Sequence, residues 1–192
     1  MKIRTSPFRP LAVCVAAILI ASSAFGQATP AKPGESYNFV LQLIAGSQGA
    51  SVKETLPAGW DKVEKQLRST FAVKGFEAIG TFAVRGTIGG SAGYDGHWDG
   101  LSKADKGSPT VRFSLSALSL EDGKLVAKNG NFYLGVPATI DVQQPANARD
   151  EQVFKITLYS VALEPNTPTV LGSLQIRGVD GPVFVVLTAK TP

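Results

Sequence analysis

Residues 109–140 read PTVRFSLSALSLEDGKLVAKNGNFYLGVPATI, and this stretch decides the fold. Apolar and polar residues alternate with a period of two on both sides of the dipeptide Asp122-Gly123. Such alternation is typical of half-buried strands, and Asp-Gly is typical of a tight hairpin turn. The alternation changes phase near Ala117, which predicts a β-bulge there. A second turn-forming dipeptide, Asn129-Gly130, predicts another hairpin turn.

The same period of two recurs on both sides of this stretch. It predicts strands at 37–45 and 76–88 before it, and at 154–159, 170–176 and 183–187 after it. The last of these is apolar at every position, as expected of a strand buried on both faces. From residue 109 onward the chain therefore has the pattern of an antiparallel meander.

One segment, residues 57–71, has the period of a helix instead. Trp60, Val63, Leu67 and Phe71 are three, four and four residues apart, so that they lie along one stripe of a helix. Charged side chains occupy the other faces. We expect the stripe to face the core; a groove for a partner is the alternative.

The order of these elements defines the fold class. A strand, a helix, a strand, a glycine-rich loop at 89–108 and five or more antiparallel strands predict an α+β, mostly β fold. We expect an antiparallel meander or sandwich with the amphipathic helix of residues 57–71 packed on it. Residues 37–192 are then a single domain, with a soft internal boundary in the loop at 89–108.

The first 28 residues have the composition of a secretory signal peptide. Three cations in the first ten residues precede an apolar run at 11–21 and then small residues. Cleavage before Gln27 or before Thr29 fits equally well. The alternative is an N-terminal membrane anchor, but the run is shorter than the ~20 residues that span a bilayer. We therefore expect a periplasmic or secreted protein.

Removal of this segment changes the chemistry of the chain. Residues 29–36 become a flexible Pro/Ala/Gly-rich leader. Cys14, the only cysteine, leaves with the signal peptide, which excludes disulfides, thiolate metal ligands and a cysteine nucleophile. Without the three N-terminal cations the formal charge of +4 falls to +1. A nearly neutral chain has no charge-based affinity for nucleic acid, and we expect no stable membrane span after cleavage.

Motifs for catalysis are weak. Residues 89–93, GGSAG, match the G-x-S-x-G pattern of hydrolase nucleophiles, with Ser91 in the nucleophile position. However, no helix is predicted after it, and the only histidine, His97, lies six residues later in the same loop. We therefore favour a plain loop over a hydrolase. The sequence predicts no catalytic residues, no cofactor and no enzyme activity.

The segment YDGHWDG at 94–100 holds the best candidates for ligand binding. The candidates are Tyr94, Asp95, His97, Trp98 and Asp99. Together they could chelate a cation or stack on a sugar ring. One histidine and two aspartates are too few for a transition-metal site, so we predict no metal. The competing interpretation is a loop whose two aromatic side chains pack on the rim of the sheet.

Two segments resemble exported bacterial envelope proteins linked to secretin-type secretion machinery. Residues 63–68 with 76–80 are similar to the strand–helix unit of periplasmic ring-building modules. Residues 169–174 with 180–187 are similar to the last hairpin of secretin-like domains. Together they cover about a third of the mature chain. The resemblance implies an envelope-assembly or accessory role and carries over no site residues.

Two function hypotheses follow. The first is an exported, non-catalytic module that contacts envelope proteins, with strand addition at a sheet edge as the mode of contact. The second is a small-ligand binder, for a saccharide at the Tyr94/Trp98 loop or for a lipid inside a β-cavity. Four side chains are candidates for the lining of such a cavity: Phe113, Phe132, Phe154 and Phe184.

Overall fold

The computed structural model describes residues 34–49, 56, 59–100, 108–137 and 151–191. The predicted signal peptide with its cysteine and cleavage sites, and most of the leader that follows, lie outside these ranges. Within them, no helix is long and apolar enough to cross a membrane.

The described residues form two antiparallel sheets and one helix. The elements are β1 (Ser36–Ser47), α1 (Asp61–Phe71), β2 (Gly75–Thr87), β3 (Ser91–His97), β4 (Thr110–Glu121), β5 (Lys124–Pro137), β6 (Glu151–Leu163), β7 (Thr169–Leu174) and β8 (Val183–Lys190). Sheet A has the strand order β2-β1-β8-β7, and sheet B has the order β3-β4-β5-β6. The α+β, mostly β fold predicted from the sequence is confirmed.

The two sheets share one apolar core, which makes the fold a β-sandwich. Phe39, Leu41 and Leu43 of β1 point into this core from sheet A, and Phe113 and Phe132 point into it from sheet B. All five are fully buried. The alternation of period two thus has its expected cause, since every second residue of a strand faces the same side.

Helix α1 covers the other face of sheet A. Trp60, Val63 and Leu67 of the predicted stripe pack with Phe184 and Val186 of β8 in a second apolar cluster. The predicted core-facing stripe is confirmed at these three positions, whereas its fourth residue, Phe71, is 37% exposed and touches Phe184 from the margin, with ring centroids 4.9 Å apart. Strand β8 is apolar at successive positions because one set of its side chains enters the sandwich core and the other set meets the helix.

The helix begins later than the sequence pattern predicts, at Asp61 rather than at residue 57. Residues 57 and 58 lie outside the described ranges. The helix ends at Ala72, which has a left-handed backbone (φ 52°) and donates its N–H to the Arg68 carbonyl at 3.2 Å. This geometry is a common way to end a helix.

The predicted loop at 89–108 is wrong over residues 91–97, which form strand β3. The strand propensity of this segment is lowered by Gly93 and by the dipeptide Asp95-Gly96. Asp95-Gly96, and Asp99-Gly100 just after the strand, also have the composition of turns. Pairing with β4 overrides that local preference, with Tyr94 opposite Phe113 in the register. Residues 101–107 lie outside the described ranges.

The two predicted hairpin turns have different outcomes. Asp122 (φ 51°) and Gly123 (φ 76°) form the turn between β4 and β5, as predicted. The turn predicted at Asn129-Gly130 is wrong, because both residues lie inside β5. A Cβ on Gly130 would come within 2.9 Å of Leu115 Cδ2, so that glycine serves close packing between strands here rather than a turn.

The phase change predicted near Ala117 is present, but the β-bulge predicted there is wrong, because neither strand has an inserted residue. Ala117 has a φ of 52°, and β4 keeps its register with β5 beyond it, with Leu118 opposite Ala127. The backbone N–H of Leu118 donates to the Gly90 carbonyl at 3.2 Å, and its own carbonyl accepts from Gly89 N–H at 2.8 Å. The turn between β2 and β3 therefore holds this kink in place.

Candidate functional site

Sheet B turns one face away from the core, and most of its side chains are polar. Residues that pair across antiparallel strands point to the same side, so these side chains form rows across the sheet. We define the open face by two such rows. They consist of Gly93, Ser114, Asn131 and Thr157, and of Asp95, Arg112, Tyr133 and Lys155.

The second row carries the charges of the open face. Arg112 Nε donates to Asp95 Oδ1 at 3.2 Å, and the Arg112 guanidinium lies 5.6 Å from the centroid of the Tyr133 ring. The Tyr133 hydroxyl donates to Glu151 Oε1 at 3.4 Å. Because Arg112 and Asp95 are well exposed, their ion pair adds little to stability. Stability of the fold therefore does not explain why this row is charged.

A shallow depression of about 630 Å³ lies on the open face. Its volume falls within the roughly 300–1,000 Å³ of small-molecule sites. Gly93 leaves part of its floor without a side chain. The polar groups around it include Asp95, Arg112, Asn131 and Lys155. Among the described residues, Lys155 makes no ion pair, so its ammonium is free to contact a ligand.

The two aromatic residues of the predicted loop site point toward the core instead of into solvent. Trp98 is only 6% exposed, and its indole N–H donates to the Ile79 carbonyl at 2.9 Å. Tyr94 is half-buried, with its ring centroid 5.0 Å from that of Phe82. The prediction that a sugar ring stacks on Trp98 is therefore wrong, because neither face of this indole is open to solvent. The neighbours of Tyr94, Gly93 and Asp95, point to the open face, so Tyr94 borders the depression only with its backbone.

The three polar candidates do not converge on one point. Asp95 belongs to the charged row, and His97 is exposed at the end of β3. Asp99 lies beyond the strand and accepts a hydrogen bond from Ser108 Oγ at 2.7 Å. Within the described ranges, no three His, Cys, Asp or Glu side chains are placed to hold a metal ion. The five predicted residues thus do not form one site; of the five, only Asp95 directs its side chain to the depression.

The structure also separates Ser91 from the only histidine. Ser91 and His97 lie at the two ends of β3. Six residues of extended strand put them roughly 20 Å apart. His97 therefore does not serve Ser91 as a general base.

The four phenylalanines proposed for a lipid cavity do not surround a common space. Phe113 and Phe132 are buried in the sandwich core, and Phe154 packs at its margin. Phe184 lies on the other side of sheet A, in the helix cluster. The predicted lining is therefore wrong, because neighbouring residues of β8 point to opposite faces of the sheet.

Sequence reasoning missed Arg112, Tyr133 and Lys155. One part of this arrangement could have been found, since a hairpin that turns at residues 122 and 123 places residue 112 opposite residue 133. Lys155 could not, because its register depends on how the chain passes from β5 to β6. Asp95 was found, but its partner Arg112 was not.

No protein-family model matches the chain, and no curated protein matches it. The resemblance to secretin-like envelope proteins therefore stays a prediction.

Proposed function

We propose that this chain is an exported, non-catalytic binding module that holds a saccharide on the open face of sheet B. The observation that carries the proposal is the depression of about 630 Å³ bordered by charged and hydrogen-bonding side chains from four neighbouring strands. These side chains sit on strands, which position a site more rigidly than loops do. The exported location is the one expected from the N-terminal sequence.

The chemistry of the open face suits a hydroxyl-rich ligand. Ser114, Asn131 and Tyr133 each offer both a donor and an acceptor, and Arg112 and Lys155 add donors. Hydroxyl groups of a sugar act in both ways and can replace the water bound to these groups.

A stable protein interface would have a different composition. The centres of such interfaces are depleted in Ser, Lys and Asp and are more apolar than the rim. On the open face Ser114 stands in the middle, on β4, next to Asn131 of β5, and the charged Asp95 and Lys155 stand on the two edge strands, so that the described middle of the face is polar. The nearest large apolar side chains, Val153 and Tyr159, are on β6, at the margin of the sheet. We therefore assign the face to a saccharide and protein contact to the edge.

Contact with an envelope protein by strand addition is the second candidate function. Strand β6 favours it, because this strand is the last of sheet B and pairs only with β5 among the described strands. Such an edge presents unpaired N–H and C=O groups to a further strand.

Affinity electrophoresis through gels that contain soluble polysaccharides tests the proposal. We expect at least one polysaccharide to retard the purified protein. Asn131→Ala should weaken this binding about 5- to 10-fold, the usual effect of losing one hydrogen bond of ~1–1.4 kcal/mol.

The matched control is Asn38→Ala, which removes an exposed asparagine from a strand of sheet A. It should bind as the unmodified protein does. The proposal is wrong if no polysaccharide retards the protein, or if the two variants bind equally well.

A further inference from the structure

Strand β6 has an open edge. It pairs with β5 from Glu151 to Leu163. Within the described ranges, no backbone hydrogen bond reaches β6 from its other side. The nearest polar link is made by the Gln152 side chain, which donates to the Gln175 carbonyl at 3.1 Å and accepts from Arg177 N–H at 3.0 Å. In the middle of the strand the Ile156 side chain packs against Gly172 of β7, but the backbone groups on this side make no hydrogen bond to a described residue and can pair with a further strand.

The same strand carries unusual apolar exposure. Among the described residues three large hydrophobic side chains are exposed, and two of them, Val153 and Tyr159, are on β6. Val153 is 52% exposed and Tyr159 is 80% exposed. Both point to the side of the open face, three residues before and three residues after Ile156. Their placement is therefore symmetric about the middle of the strand.

We infer that β6 pairs with β6 of a second copy of this chain, antiparallel and with the two-fold axis at Ile156. In this register Val153 lies opposite Tyr159 of the second copy. A β-branched residue opposite an aromatic one is a stabilising cross-strand pair. Lys155 lies opposite Thr157, so that no like charges meet. The two-fold axis produces each of these pairs twice.

Neighbouring registers are less favourable. An axis at residue 155 would place the two copies of Lys155 opposite each other, with their charges in direct repulsion. An axis at residue 154 would place Val153 opposite Lys155. Shifts that pair odd with even positions are excluded, because side chains that pair across strands must point to the same face. Only an axis at Ile156 places the two exposed apolar side chains, Val153 of one copy and Tyr159 of the other, opposite each other.

The dimer formed in this way has one continuous sheet of eight strands. The two open faces then lie side by side on it. This inference concerns the edge of β6 and does not depend on the saccharide proposal, so that either can fail without the other.

Charge substitutions at Thr157 test the inference in opposite directions. Thr157 is exposed, so both variants should fold, which circular dichroism checks. Thr157→Lys puts a second cation opposite Lys155 twice per dimer. It should raise the dimer Kd roughly 2- to 30-fold, as expected for two unfavourable cross-strand pairs. Thr157→Glu puts an anion there and should lower the Kd.

Sedimentation equilibrium of the purified protein and of both variants measures these constants. The inference is overturned if the unmodified protein stays monomeric up to the highest concentration reached. It is equally overturned if both substitutions shift the Kd in the same direction, because the register requires opposite effects.

Disulfide trapping tests the register itself. In a Cys14→Ser background, which removes the only cysteine of the chain, Val153→Cys combined with Tyr159→Cys should form a covalent dimer under mild oxidation. The control combines Val153→Cys with Thr157→Cys, which is out of register by two residues, or roughly 7 Å. Equal yields from the two double variants would refute an axis at Ile156.

Discussion

Replacement of Trp98 by phenylalanine tests the assignment of this side chain to the core. Trp98 is 6% exposed, its indole N–H donates to the Ile79 carbonyl at 2.9 Å, and its ring lies 6.5 Å from that of Phe82. Phenylalanine keeps one aromatic ring in this place. It removes the N–H donor and the volume of the second ring.

The expected loss of stability has two parts. The Ile79 carbonyl is half-buried and loses its partner, which costs about 1–3 kcal/mol. Complete truncation of a buried tryptophan to alanine costs about 3–5 kcal/mol, so that the loss of one of its two rings should cost about 1–2 kcal/mol. Trp98→Phe should therefore lower the free energy of unfolding by about 2–5 kcal/mol. This is a large fraction of the ~5–15 kcal/mol typical of a domain.

Trp60→Phe is the matched control, because Trp60 is 4% exposed in the helix cluster and its indole donates no hydrogen bond to another described residue. It should cost only the packing part, about 1–2 kcal/mol. Urea unfolding followed by far-UV circular dichroism measures both variants without relying on tryptophan fluorescence. Equal losses from the two variants would refute the role of the bond to Ile79.

Three further predictions concern single residues. Arg68→Ala should lower the free energy of unfolding by about 1–2 kcal/mol. The Arg68 guanidinium lies 4.9 Å from the Phe76 ring centroid and donates to the Val73 carbonyl beyond the helix end. An unchanged Tm in a thermal melt would contradict this. Ala117→Gly should raise the free energy of unfolding by about 0.5–1 kcal/mol, because glycine adopts the φ of 52° without the strain of a Cβ. Urea unfolding measures this change, and a lower free energy of unfolding would contradict it. Burial and then the Glu35 carboxylate raise the pKa of Tyr37 above its ordinary 10.0. The folded state therefore keeps this proton longer than the unfolded chain, stability falls as the pH rises above 10.0, and Tyr37→Phe should show a smaller alkaline loss of the urea midpoint.

The sequence was sufficient where a periodic pattern coincided with a local signal. The stripe from Trp60 to Leu67 predicted a core-facing helix, since a spacing of three and four residues admits one buried face. Asp122-Gly123 predicted the hairpin between β4 and β5, from which the pairing of Arg112 with Tyr133 could have been derived. Both conclusions depend on short-range geometry, which the sequence encodes directly.

Where long-range pairing overrides local preference, the sequence misled. Asn129-Gly130 has the chemistry of a turn, yet its glycine is needed for the contact with Leu115. The Asp-Gly dipeptides around β3 likewise resemble turns, yet β4 supplies a partner strand. The pairing of Tyr133 with Lys155 requires the register of β6, which no local feature determines.

The face and the edge of sheet B make a joint prediction. If the dimer forms through β6, a long polysaccharide reaches two open faces at once, and the second contact becomes intramolecular with a large gain in apparent affinity. A short oligosaccharide reaches only one face and gains nothing. Tyr159 lies outside the two rows of the open face, and Tyr159→Ala removes the Val153–Tyr159 pair twice per dimer. It should then weaken the binding of the polymer more than that of the oligosaccharide, whereas Asn131→Ala should weaken the intrinsic binding of both by the same factor per face. Isothermal titration with the two ligand lengths measures this difference. An equal effect of Tyr159→Ala on both lengths would show that the edge and the face of the sheet act independently.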